Sequence, residues 1–128
     1  MELTNLAIPV MRQQGYGRII QNSSILGLIA LAYRGAYIAS KFALEGLSDT
    51  LRLELKGTNI HVAIIEPGPI VSRFRENSVR HFYQHIDIKR SPHQAIYEKV
   101  VKRLEINGPD MPFTLPPESV LKKVVHAL

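Results

Sequence analysis

Apolar residues recur at Leu3, Leu6, Ala7, Val10 and Met11, a helical spacing that predicts one amphipathic helix over residues 1–14, with Gly15 and Gly17 ending it. Pro9 lies inside this stretch and is expected to bend or locally open the helix, because proline has no N–H to donate to the preceding turn. From Arg18 the run RIIQNSSILG begins with apolar β-branched residues and ends in polar residues and glycine. It reads as a short buried strand running into a functional loop. A long helix is predicted from about Gly35 to Lys56, where Phe42, Leu44, Leu47, Leu51, Leu53 and Leu55 cover more than one face, so that it wants two neighbours. Gly57 to Asn59 form its exit turn, and IHVAII from Ile60 to Ile65 is a second buried strand. The strand is closed by EPGPI, whose prolines cannot continue a sheet. Two apolar strands joined by a helix of about 20 residues predict a parallel pair with a right-handed connection. Beyond Ser72 the periodicity weakens into a mixed segment to Pro92. A helix from about Pro92 to Glu105, a turn-rich stretch NGPDMPFTLPP and a short last helix opening at Pro117 follow.

Composition narrows the class. The 128 residues suit one domain but fall short of the roughly 250 of a complete doubly wound dinucleotide-binding enzyme. With 45% hydrophobic and 21% charged residues the chain has the balance of a soluble globular protein, and no apolar run approaches the ~20 residues of a membrane-spanning helix. No cysteine is present, so disulfides and thiolate metal sites are excluded, and the first residues lack the basic flank and cleavage site of a secretory signal. A cytoplasmic protein is the expectation. The formal charge of +5 arises between Arg73 and Arg103, where 8 basic residues face 3 acidic ones; elsewhere there are 8 of each. These basic residues are scattered among Phe74, Asn77, Val79, Phe82 and Ile86 without a nucleic-acid-binding motif, so they read as solvated surface charge and no nucleic-acid partner is expected.

The chemistry centres on Tyr37 and Lys41, four residues apart and therefore neighbours on one helical face. A free phenol ionises near pH ~10 and is a poor acid or base at neutrality unless a positive charge stabilises the phenolate. Lys41 supplies such a charge. The pattern Tyr-x-x-x-Lys is weak alone, and Ser24, 13 residues before Tyr37 in the loop after the first strand, gives it context. His81 and His85 share a helical face but lack a third ligand at suitable spacing, so no metal is expected.

The strings GRIIQNSSILG, GAYIASKFALEGLSDTLRLEL and IHVAIIEPGPIVS, in that order, resemble the short-chain dehydrogenase/reductase family: Ser loop, Tyr-x-x-x-Lys helix, strand, Pro-Gly turn. The match runs from about Leu3 to Phe74. The resemblance implies an α/β fold, the carboxyl-side part of a Rossmann-like, doubly wound parallel sheet whose first strands are missing, and a single incomplete NAD(P)-binding domain over residues 1–128. Residues 71–116 would form its substrate lid. It implies an NAD(P)-dependent oxidoreductase that interconverts an alcohol and a ketone or aldehyde. Tyr37 would be the acid/base, Ser24 would polarise the substrate oxygen, Lys41 would support the phenol and hold the nicotinamide ribose, and Tyr37 would join Lys41 among the cofactor-binding residues. Pro67, Gly68 and Ile70 would bring backbone groups to the nicotinamide, and Ser72 stands where the family often has threonine. Ser23 has the wrong spacing to replace Ser24. The cofactor is NADP or NAD, with NADP placed first. The substrate expected is a small, apolar carbonyl or alcohol, because Phe74, Phe82 and Tyr83 lie in the lid region. The leucine-rich Tyr37 helix is expected to pair with a second copy of the chain. Three family features are missing from the sequence: a Gly-x-x-x-Gly-x-Gly turn, an Asn-Ala-Gly segment and the helix asparagine of the proton relay. They leave a competing expectation, a non-catalytic remnant that serves as an interaction or dimerisation module.

Overall fold

A computed structural model describes residues 2–105 and 113–128. Most of the turn-rich stretch NGPDMPFTLPP, and with it part of the 71–116 segment, lies outside the described residues. The described elements are α1 (Glu2–Gln14), β1 (Gly17–Asn22), α2 (Gly35–Glu54), β2 (Ile60–Ile65), α3 (Phe74–His85), α4 (Gln94–Glu105) and α5 (Glu118–Ala127). Short 3-10 turns occur at Ile25–Gly27 and Ile88–Arg90. The chain divides into two compact units, Met1–Gly68 with Glu118–Leu128, and Pro69–Pro117.

In the first unit β1 and β2 form a two-stranded parallel sheet, with Gly17 opposite Ile60 and Asn22 opposite Ile65. Alternation along each strand sends Ile19, Ile60 and Val62 to one face. There they meet Leu51 of α2, Leu55 at its C-cap, and Ile8 and Met11 of α1, the core of the unit. A side chain on Gly17 would overlap Met11, which is why the first position of β1 carries none. The whole of α5 belongs to this unit and packs against β2.

Two helical expectations need correction. The stripe assigned to α1 was Leu3, Leu6, Ala7, Val10 and Met11, yet Leu3, Leu6 and Val10 are exposed. Thr4, Ala7, Ile8 and Met11 are the partly buried positions, spaced i, i+3, i+4 and i+7. The helix is apolar on two sides, and periodicity alone could not say which side meets β1. It is assigned as continuous through the exposed Pro9. The second correction concerns residues 74–85, expected to be mixed structure and found as α3. That helix buries none of its residues and has no side-chain cap at Arg73, so it has neither the wide apolar stripe nor the start signal on which a sequence reading depends.

The exit from α2 is built on Gly57, whose φ of 85° lies in the left-handed region. Thr58 donates its N–H to the Leu55 carbonyl at 3.0 Å, and its hydroxyl donates to the same oxygen at 2.7 Å. Nothing lies within 4 Å of the position a Gly57 Cβ would take, so any penalty for a side chain there is one of backbone conformation alone. Gly57→Ala is expected to destabilise the first unit by about 1 to 2 kcal/mol, measured as a lower urea midpoint in far-ultraviolet circular dichroism. An unchanged midpoint would show that the turn tolerates another conformation.

Candidate functional site

The site is assembled where β1 ends. In parallel sheets, ligand-binding groups gather beyond the carboxyl ends of the strands, because loops leave the sheet there and side chains are no longer committed to the core. Beyond Asn22 the two chain segments continue side by side. Ser23 donates its N–H to the Ile65 carbonyl at 2.8 Å, and Ile25 donates to the Pro67 carbonyl at 3.1 Å. The serine loop and the start of the Pro-Gly turn are therefore stitched together by backbone hydrogen bonds.

Ser24 has extended backbone and caps the 3-10 turn Ile25–Gly27, its hydroxyl oxygen accepting the Leu26 N–H at 3.2 Å. Serving as an acceptor fixes the oxygen while leaving the hydroxyl proton to donate elsewhere. The residue is 8% exposed, so a partner for that proton would meet it in a largely dry setting where a hydrogen bond is strengthened.

Tyr37 and Lys41 lie on consecutive turns near the start of α2, both partly buried. Lys41 Nζ is 5.7 Å from the centre of the Tyr37 ring, and it donates to the Asn22 carbonyl at 3.0 Å. That second contact was not expected from the sequence, since a backbone oxygen carries no residue-type signal. It anchors the ammonium to the last residue of β1 and leaves two of its three protons for other acceptors. Ser24 follows Asn22 by two residues, at most about 7 Å of chain. The lysine thus links the helix that bears Tyr37 to the strand end that leads to Ser24. Tyr33, in the loop before α2, holds φ at 63°, an uncommon conformation for a bulky residue.

Pro67 is held by its carbonyl bond to Ile25, and Gly68 is exposed with nothing within 4 Å of where a Cβ would sit. The open face of this turn, with the Lys41 ammonium and the Ser24 hydroxyl at the neighbouring strand end, fits the nicotinamide half of a dinucleotide, which needs a flat backbone approach and hydroxyl partners. Ile70 and Ser72 belong to the second unit. Ile70 bridges to Leu115, and the Ser72 hydroxyl oxygen accepts the Phe74 N–H at 3.3 Å at the start of α3. His81 and His85 stack with ring centres 6.1 Å apart, and no group of three or more metal-ligating side chains occurs among the described residues. No described helix is long and apolar enough to cross a membrane.

Comparison with known proteins bears on the family and the fold. Residues 1–83 match the family model described as short chain dehydrogenase. An uncharacterized oxidoreductase, YbbO of Escherichia coli K12, is 44% identical over 126 residues, covering 98% of this chain and 40% of that protein. Human retinol dehydrogenase 8 is 38% identical over 74 residues, covering 58% of this chain and 24% of that protein. Among solved structures, an actinorhodin polyketide ketoreductase variant with NADPH superposes with a TM-score of 0.63 at 25% identity, covering 91% of this chain and 42% of that one. The chain spans about two-fifths of the length of YbbO. A family match over residues 1–83, well over half of the sequence, means that the chain belongs to the short chain dehydrogenase family.

Proposed function

We propose that this chain carries the proton-transfer half of an NAD(P)-dependent oxidoreductase that interconverts an alcohol and a ketone or aldehyde. The observation that carries the proposal is the position of Lys41, bonded to the Asn22 carbonyl and 5.7 Å from the Tyr37 ring. A bound nicotinamide would supply the hydride chemistry, at the carbonyl carbon in reduction and the alcohol carbon in oxidation. In the reducing direction Tyr37 gives its phenolic proton to the substrate oxygen. Lys41 stabilises the phenolate this leaves behind, the charge complement that general acid catalysis by a phenol requires. Ser24 donates a hydrogen bond to the same substrate oxygen, holding it where negative charge develops. Lys41 Nζ, Pro67 and Gly68 would hold the nicotinamide ribose and ring, and the family resemblance adds Ile70 and Ser72 to the proposed cofactor residues.

An apolar substrate is supported by the aromatic side chains Phe74, Phe82 and Tyr83, which belong to the 71–116 segment that we propose as the substrate lid. Phe82 sits edge-on to Tyr97 with ring centres 5.4 Å apart. The related retinol dehydrogenase 8 bears the name of an apolar alcohol. NADP is placed ahead of NAD, in line with the NADPH of the structurally similar ketoreductase. Pairing with a second copy through α2 is supported by Phe42 and Leu53, both exposed, which lie opposite the buried Leu51 and Leu55 on the helix. The exposed Phe42 and Leu53 of α2 also suit a second reading, an interaction or dimerisation module without dinucleotide. Titration with NADPH and NADH, followed by nicotinamide fluorescence, separates the two. Saturable enhancement is expected, tighter for NADPH, and a flat response to both would favour the interaction module.

A further inference from the structure

If Ser24 meets the substrate oxygen, something must hold its loop at a fixed distance from α2. Successive residues of an extended segment point to opposite sides, so Ser23 is turned away from the side Ser24 serves. Ser23 is 4% exposed, and its hydroxyl oxygen is buried with no hydrogen-bond partner. Among the described residues one other side-chain oxygen is in the same condition, Oε1 of Glu45 on α2. The two converge on one point. A Cβ built on Gly27 would lie 2.8 Å from Glu45 Oε1, 2.9 Å from Ser23 Oγ and 3.0 Å from Glu45 Cγ. Gly27 has no unusual φ to explain its identity; the volume a side chain would take is already filled by these two polar groups. A buried hydroxyl and a buried carboxyl group meeting at one place are chemical complements, and leaving either unsatisfied costs more than pairing them. Glu45 stands four residues after Lys41 and eight after Tyr37, so all three lie along one face of α2.

We propose that Glu45 is a positioning residue: its carboxylate takes the Ser23 hydroxyl as donor behind Gly27, tying the serine loop to α2 one turn beyond Lys41. The tie sets how far Ser24 stands from Tyr37 and Lys41. It rests on the assignment of Ser24, Tyr37 and Lys41 given above.

The test compares Glu45→Leu, which removes the acceptor at similar volume, Glu45→Gln, which keeps an acceptor oxygen, and Ser23→Ala, which removes the donor. Amide hydrogen exchange over residues 23–29 is read in each, beside the rate of NADPH oxidation with a carbonyl substrate. Glu45→Leu and Ser23→Ala are expected to speed exchange in the loop about tenfold, the effect of one net hydrogen bond, with β1 and β2 unchanged. They should also lower kcat about 10- to 100-fold, the cost of a misplaced catalytic group, while KM for NADPH stays within about twofold. Glu45→Gln should restore most of both. Loop exchange in Glu45→Leu and Ser23→Ala equal to that of the unaltered chain overturns the proposal, as does a Glu45→Gln variant no better than Glu45→Leu. Should Glu45→Leu fail to fold, Ser23→Ala carries the same comparison with a smaller change. Failure of the catalytic assignment would look different: no NADPH-dependent turnover in the unaltered protein, with the exchange differences still present.

Discussion

Tyr37→Phe is expected to lower the rate of carbonyl reduction by about 10³-fold while leaving dinucleotide binding within about twofold, because only the group that moves a proton in the transition state is lost. The substitution deletes one oxygen from a partly buried ring and keeps the ring that lies beneath the Lys41 ammonium. The ammonium should therefore stay on the Asn22 carbonyl, and the helix start should be undisturbed. Steady-state rates with NADPH and an apolar ketone, paired with nicotinamide fluorescence titration, check both halves of the expectation. A large loss of rate with unchanged binding is the signature of a transition-state role. An equal loss in binding would make Tyr37 a cofactor contact only, and an unchanged rate would remove it from the chemistry altogether. Phenylalanine has no ionisable proton at any pH, so the loss should persist across the pH range in which the fold is stable.

Why this centre could be read from the sequence, while its support could not, has a physical answer. Tyr37 and Lys41 were legible because helical geometry is local: a spacing of four residues guarantees a shared face whatever the rest of the chain does. Ser24 was legible because a β-branched strand that runs into polar residues marks the end of a sheet, and β2 was found at its predicted residues, Ile60–Ile65. The anchor of Lys41 on Asn22 spans 19 residues and ends on a backbone carbonyl, so no residue type announces it. The convergence of Ser23 and Glu45 on Gly27 is of the same kind. Sequence showed a serine with the wrong spacing for catalysis and a glutamate on a helix; only the fold brings their oxygens to one buried point. Polarity misled the reading of α3, which buries nothing and so carries no apolar period, and double-sided apolarity misled the reading of α1. In each case the missing information was the identity of the neighbour, which local pattern does not contain.

The same logic predicts where the fold is most vulnerable. Leu55 is 3% exposed at the end of α2 and packs with Ile19, Leu51 and Ile60, whereas Leu53, two residues earlier, is 74% exposed. To a sequence reading both are leucines in one apolar helix. Leu55→Ala should destabilise the first unit by about 2 to 5 kcal/mol, combining lost transfer free energy with the cavity left among its neighbours. Leu53→Ala should change the stability of the unpaired first unit by no more than about 0.5 kcal/mol, because its side chain packs against nothing in the unit's core and alanine favours the helix equally well. The contrast matters because the core of this unit is small, and a domain's whole stability is on the order of 5 to 15 kcal/mol. Loss of Leu55 therefore removes a large fraction of it, less whatever the neighbouring Ile8, Met11 and Val62 recover by moving into the gap. Leu55 also lies next to the turn at Gly57, through its carbonyl, which accepts from Thr58. A cavity there loosens the crossover from α2 to β2, and with it the strand whose end carries Pro67. Urea unfolding followed by circular dichroism reads the difference directly: a midpoint shifted far down for Leu55→Ala and unmoved for Leu53→Ala is expected, while equal shifts would mean that the core is not where these contacts place it.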